Sequence, residues 1–229
     1  LSSLVICACG RIGFDPGSTG DAARPSVDAA VALATCPADP RLVACYALDG
    51  SAQDLSGHGN DAVVSAVTYV PGIDGLAIET TASSRGDLTM PALDLSRFTI
   101  EGWIRPELDS SSLQIVFDHN MRWALVIEPG LVIGCDLQGD TVLGNALALG
   151  VWVHVACIHD GTTMTVYRDV GVVGSRAVGP VAPGTFDAAI GGNAPPTDAP
   201  APYVGAIDRL RIWNVALSAA ELCAAAGTC

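Results

Sequence analysis

The chain has no lysine: its 11 basic residues are all arginines, against 24 Asp and Glu, for a formal net charge of −13. A phosphate-backbone partner needs clustered cations to displace counterions, so this balance argues against nucleic-acid binding. Aromatic residues are scarce, at 5%, and only 4 histidines are present. His154 and His159 differ by five positions, so on one strand they would face opposite sides and could not share an ion. No HExxH, GxSxG or glycine-rich phosphate loop occurs, which leaves a zinc hydrolase, a serine hydrolase or a nucleotide enzyme without support. The longest apolar stretch at the start, Leu1 to Ala8, falls well short of the roughly 20 residues that span a bilayer. Long helical periodicity is missing as well.

Half of the residues are apolar, and 229 residues can bury one sizeable core, so a single main domain is expected. There are 8 cysteines and no CxxC pair, which points to disulfides and to an oxidising compartment, hence export. Residues 1–9 read as the end of a signal peptide, and Ile6-Cys7-Ala8-Cys9 resembles a bacterial lipobox in which Cys9, preceded by the small Ala8, is the residue to be lipidated. An ordinary secretory leader is the alternative. A lipid anchor on Cys9 would hold the protein on a membrane of the cell envelope. Residues 10–35 are rich in Asp, Gly, Pro, Ser and Ala and read as a flexible tether, with the folded domain spanning 36–229.

From Cys36 onward, short apolar runs alternate with turn residues: 42–48, 98–104, 113–118, 123–127, 131–137, 152–158, 163–167, 186–192 and 206–213. That rhythm predicts an all-β sandwich. Simple alternation in the last run puts Asp208 on one face with Leu210 and Ile212, and Arg209, Arg211 and Trp213 on the other. A carboxylate on a core face requires a cation, an arginine or several N–H donors. Ser218-Ala-Ala-Glu221 then forms a capping box that predicts a short C-terminal helix.

The phrases CYALDG (45–50), DLSGHGNDA (54–62), TYVPGIDGLAI (68–78), FTIEGWIRP (98–106), WVHVACIHDGTTMTVY (152–167), IGGN (190–193) and GAIDRLRIWNVALSAAEL (205–222) resemble, in order, the concanavalin A-like, laminin-G-like jelly-roll family. The resemblance implies two antiparallel sheets packed face to face, with the first and last strands close together. Ala62 and the segment RDVGVVG after Tyr167 depart from the family pattern. Relatives often hold a structural calcium, and the resemblance carries Asp49 and Asp208 over as side-chain ligands, with carbonyls of His58 and Asn60 as further donors. Calcium takes six to eight oxygen ligands, many of them loop carbonyls, which suits this set. The competing reading has both aspartates accepting turn N–H bonds, with Arg209 or Arg211 as counter-charge.

With termini adjacent, Cys36 is expected to bond Cys223 or Cys229, Cys135 to bond Cys157, and Cys45 to take the C-terminal cysteine that remains. Glycosidases of related fold carry a compact ExDxxE strand, which this chain lacks; Glu101, Asp118, Glu128 and Asp136 read as scattered single acids. The expectation is therefore a non-catalytic, calcium-stabilised binding or adhesion module recognising a polysaccharide or a protein. The alternatives are a structural envelope component and a glycosidase or polysaccharide lyase. Trp123 and Tyr203 are the candidate exposed rings for stacking on a sugar, with inward packing the equal alternative for each.

Overall fold

A computed structural model describes residues 35–88, 93–120, 122–184, 187–194 and 201–228. Among these residues Leu42–Tyr46 (β1) opens an all-β architecture whose fifteenth strand, Gly205–Trp213 (β15), is followed by a short helix, Ala219–Ala226 (α1). Between them lie Val63–Ser65 (β2), Thr68–Pro71 (β3), Leu76–Thr80 (β4), Arg85–Leu88 (β5), Phe98–Pro106 (β6), Gln114–His119 (β7), Trp123–Glu128 (β8), Val132–Leu137 (β9), Asp140–Ala146 (β10), Val153–His159 (β11), Thr163–Arg168 (β12), Gly171–Ala177 (β13) and Ala188–Ile190 (β14). One sheet runs β13-β12-β11-β6-β15-β4-β3, with β1 also paired to β15; the other runs β10-β9-β8-β7-β14-β5-β2. All of the pairings between strands are antiparallel. This is the two-sheet jelly-roll sandwich expected, with the first and last strands paired and a short C-terminal helix.

The inner faces of both sheets meet in one core that includes Ile100, Ile104, Phe117, Leu125, Ile133, Val155, Ile207, Leu210 and Ile212. Trp123 is stacked there between Phe98 at 4.4 Å and Phe117 at 5.3 Å, and Tyr203 is fully buried. Neither ring is exposed for sugar stacking: both fill the interior, where large aromatics bury the most apolar area. A second, smaller cluster lies on the outer face of the eight-stranded sheet, where Leu217 and Leu222 pack with Trp213, Ile158 and Cys45. Helix α1 is fixed there by the predicted capping box: Ser218 accepts from the Glu221 N–H, and Glu221 accepts from the Ser218 N–H at 2.9 Å.

Cys135 on β9 is joined to Cys157 on β11, the expected pairing, and the bond crosses the core between the sheets. Cys36 bonds Cys45, nine residues away, and not a C-terminal cysteine. The cause of this pairing is local. The chain turns back at Asp39–Arg41, where Arg41 is held by Asp39, so that Cys36 returns beside β1. Cys223 is also disulfide-bonded; Cys229 and Cys9, with the lipobox and nearly all of the tether, lie outside the described residues.

Two bulges decide which side chains reach the sheet surfaces. In β15 the register with β6 shifts between Asp208 and Arg211, and Arg209 has φ +50°. Asp208 is consequently paired with Trp103, and Arg211 with Glu101, on the outer face, while Ile207, Leu210 and Ile212 point inward. Alternation had put Asp208 with Leu210 and Ile212; the extra residue breaks that alternation. In β7 the register with β8 shifts between Ile115 and Phe117, which leaves Phe117 in the core and brings Asp118 to the outer face with Ile115.

Candidate functional site

At its bulge, β15 changes neighbours. Gly205–Ile207 pairs with β4, and Leu210–Trp213 pairs with β1, so Asp208 stands where those two strands part. The turn from β3 to β4 covers this point. Asp208 Oδ2 accepts the Ile73 N–H at 2.8 Å, and Asp49, just beyond β1, accepts the Leu76 N–H at 2.5 Å. Gly72 and Gly75 flank the turn because a Cβ at either position would collide with the Asp208 or the Asp49 carboxylate respectively. Asp208 is fully buried, and its Oδ1 has no hydrogen-bond partner. Burial therefore pushes its carboxyl up to about 6, against the opposing pull of the Ile73 N–H. The nearby Arg209 charge also pulls it down, although that guanidinium is itself paired with Asp74 at 2.5 Å, and Arg211 is paired with Glu101.

Two carboxylates thus converge on one turn, one of them with an orphaned oxygen, and both offer the hard oxygen donors that calcium prefers. Among the described residues no group of three or more His, Cys, Asp and Glu could hold a metal, so an ion here would draw its other ligands from carbonyls. The SGHGN loop is organised by Asp54, which sequence reasoning passed over: Asp54 Oδ1 accepts from the Cys45 N–H at 2.9 Å and Oδ2 from the Asn60 N–H at 3.0 Å. The Asn60 side chain donates to the Val43 carbonyl at 2.7 Å, and its own carbonyl accepts the Tyr46 hydroxyl at 2.6 Å. His58 is exposed, with Nδ1 3.2 Å from Ser56 Oγ.

A second buried carboxylate has the opposite environment. Glu101 on β6 is fully buried, pairs with Arg211 at 2.6 Å and meets His154 Nε2 at 2.8 Å. Arg211 also donates to the carbonyls of Thr35, at 3.0 Å, and Ala225. Burial alone would raise the Glu101 pKa, but Arg211 and His154 together hold it below the ordinary value. This network closes the outer face of the eight-stranded sheet beneath α1.

The outer face of the seven-stranded sheet is open, and it carries a pocket of about 420 Å³. Strand register builds the pocket from two parallel rows. Thr141, Asp136, Ala124 and Asp118 occupy successive strands β10, β9, β8 and β7 in one row, which continues through Ala189 to Asp87. Leu143, Gly134, Val126 and Ile115 form the next. The result is an acidic row with small alanines between the carboxylates, beside an apolar floor of Ile115, Ala124 and Val126. Asp118 is only 6% exposed; its Oδ2 accepts the Ala194 N–H at 2.8 Å. Burial, reinforced by nearby Asp136, pushes Asp118 up to about 6. Asp136 itself accepts from the Gly139 N–H at 3.0 Å and the Thr141 hydroxyl at 2.9 Å. Of the four acids that read as scattered, Asp118, Glu128 and Asp136 line this one pocket, while Glu101 belongs to the closed face. The β7 bulge hid the arrangement from a period-two reading; the shared face of Ala124, Val126 and Glu128 on β8 was the available signal.

Residues 80–223 match the family described as the concanavalin A-like lectin/glucanases superfamily. No curated protein matches the chain. Among solved structures, domain 4 of AbnA, an extracellular GH43 arabinanase from Geobacillus stearothermophilus solved in complex with arabinotriose, superposes with a TM-score of 0.68 at 20% identity, covering 81% of this chain and 98% of that one. The binding domain of Paraclostridial Mosquitocidal Protein 1 gives a TM-score of 0.65 at 16% identity, over 80% of this chain and 51% of that one. A structure of botulinum neurotoxin type C, whose cell entry depends on interaction with two ganglioside molecules, gives 0.61 at 14% identity, over 80% and 50%. This chain therefore spans about half the length of the two toxin chains, and at these identities the likeness is one of fold.

Proposed function

The chain belongs to the concanavalin A-like lectin/glucanases superfamily, and from that premise we propose that it is an exported, non-catalytic module that binds a glycan on the open face of its seven-stranded sheet. The observation that carries this reading is the pocket itself, an apolar floor bordered by carboxylate, amide and hydroxyl groups. Sugar rings present C–H faces and hydroxyl edges, and such a surface offers contacts to both. The solved neighbours named for arabinotriose and ganglioside recognition support a glycan, and the disulfides fit an exported protein. A glycan array followed by calorimetry tests the reading. Ala124→Arg, which fills the space between Asp118 and Asp136, is expected to abolish the binding while the fold is kept. Glycan affinity that survives Ala124→Arg would refute the pocket, and an array with no binding would shift the ligand to a protein.

Calcium at Asp49 and Asp208 is the second part of the proposal, with carbonyls of His58 and Asn60 as the loop donors. The orphaned Oδ1 of Asp208 supports it. An ion that binds only the native state raises its stability, so the protein should melt at a higher temperature in calcium than in chelator, and Asp208→Asn should erase the difference. Equal melting temperatures would remove calcium. The anchor at Cys9 predicts fatty-acid labelling of the exported protein that Cys9→Ser abolishes.

One observation favours an enzymatic alternative. Asp118 faces Asp136 two strands away, about 9–10 Å between strand axes, near the upper separation of an inverting glycosidase pair. The binding reading is stronger because both Asp136 oxygens are already engaged. Polysaccharide turnover lost in both Asp118→Asn and Asp136→Asn would reverse that preference.

A further inference from the structure

The rows on the seven-stranded sheet also specify the charge of what they bind. Asp118 is more than nine-tenths buried at the pocket wall, and its single hydrogen bond, from Ala194, engages Oδ2 and leaves Oδ1 without a donor. Asp136 and Glu128 add two further carboxylates to the same lining, which holds no arginine or histidine among the described residues. Arg176, which reaches the adjacent edge strand, is committed to Asp140 at 3.0 Å and to the Thr141 carbonyl. Among the described residues the lining also holds no aromatic ring to supply the stacking that usually gives affinity for neutral sugars. A neutral hydroxyl could donate to Asp118 Oδ1, but it would leave the pocket's negative charge uncompensated. A protonated amine supplies both the donor and the charge, and a charge-assisted hydrogen bond is roughly twice as strong as a neutral one.

We propose that the pocket takes an amino sugar with a free, protonated amine, the nitrogen donating to Asp118 Oδ1 with Asp136 and Glu128 around it, and the C–H face of the ring resting on Ile115, Ala124 and Val126. The ligand class is therefore a de-N-acetylated glycan. This rests on the glycan-binding reading above and narrows it. The small side chain of Ala124, between Asp118 and Asp136 in the same row, lets successive residues of a linear oligosaccharide pass over the two carboxylates in turn.

The test is calorimetric titration of the purified protein, near neutral pH and in low salt, with a β-1,4-linked glucosamine trisaccharide and with its fully N-acetylated counterpart. Acetylation removes the charge and leaves the ring and linkage unchanged. The amine form is expected to bind about tenfold more tightly or better, a difference that added salt reduces. Asp118→Asn keeps the acceptor for the Ala194 N–H while removing the charge; it should erase the preference without lowering the melting temperature. Equal affinities for the two trisaccharides, or a preference that persists in Asp118→Asn, would overturn the amine inference and leave glycan binding in place. Absence of binding by both trisaccharides, with an array equally blank, would overturn the two readings together.

Discussion

The two outer faces of the sandwich treat a buried carboxylate in opposite ways. On the eight-stranded sheet, Glu101 is surrounded by Arg211, His154 and the Trp213 indole, and stays ionised in a site sealed by α1. On the seven-stranded sheet, Asp118 is nearly as buried, yet a single backbone N–H is its partner and its pKa is pushed up to about 6. A carboxylate whose cations come from its own chain is a structural element. One left short of a cation is disposed to accept it from elsewhere, which is why perturbed acids mark binding and catalytic surfaces. Asp208 lies between these cases: fully buried like Glu101, but with an orphaned oxygen and a raised pKa like Asp118.

The largest effect should come from the closed face. Glu101→Gln leaves the Arg211 guanidinium buried without its counter-charge, which costs about 3–5 kcal/mol. Urea denaturation followed by fluorescence measures it. A loss below about 1 kcal/mol would mean that solvent reaches Arg211, and the contrast between the two faces would fail.

Next in size, and opposite in sign, are Asp118→Asn and Asp208→Asn. A carboxyl whose folded pKa is raised contributes stability that is fully present below its unfolded pKa, near 3.8, and is lost as the pH rises through about 6. In chelator, each asparagine variant should therefore gain on the wild type by up to about 2–3 kcal/mol between roughly pH 4 and pH 7. Calcium separates the two. It should turn Asp208→Asn into the less stable protein at neutral pH while leaving the gain of Asp118→Asn unchanged. Identical behaviour of both variants in calcium would place Asp208 with Asp118 as a carboxylate without an ion.

The architecture was legible because it rests on short apolar runs with turn residues between them, and on ordered phrases such as FTIEGWIRP. Nine of the strands follow those runs. Strands β10 and β13 escaped because they are glycine-containing edge strands with few buried positions, and β2 and β5 because they are short. Asp208 lands on the wrong face of a regular ladder for a physical reason, and the row that joins Asp118 to Asp136 is broken in the same way. Period-two alternation assigns faces only while the ladder is regular, and both Asp118 and Asp208 follow or flank a bulge. For Trp123 and Tyr203 the two readings stay open in the sequence, because an aromatic ring carries no mark of which side it packs on; the interior took both. The Cys36–Cys45 bond depends on a turn held by Asp39 and Arg41 that adjacency of the termini could not reveal.

The smallest effect tests whether the two faces are independent. Ser218→Ala removes the side-chain oxygen that accepts the Glu221 N–H at the start of α1, and loss of such a cap costs about 1 kcal/mol. Helix α1 packs through Leu222 on the outer face of the eight-stranded sheet, with the whole core between it and Asp118. The substitution should thus lower the unfolding free energy while leaving glycan affinity, measured by the same calorimetry, unchanged. A fall in affinity alongside the stability loss would show that loosening the helix is felt across the core at the open face. The disulfide from Cys135 to Cys157 would be the first connection to examine, since it joins β9, which carries Asp136, to β11, which carries His154. Unchanged affinity would establish that the closed face holds the sandwich together and the open face is free to bind.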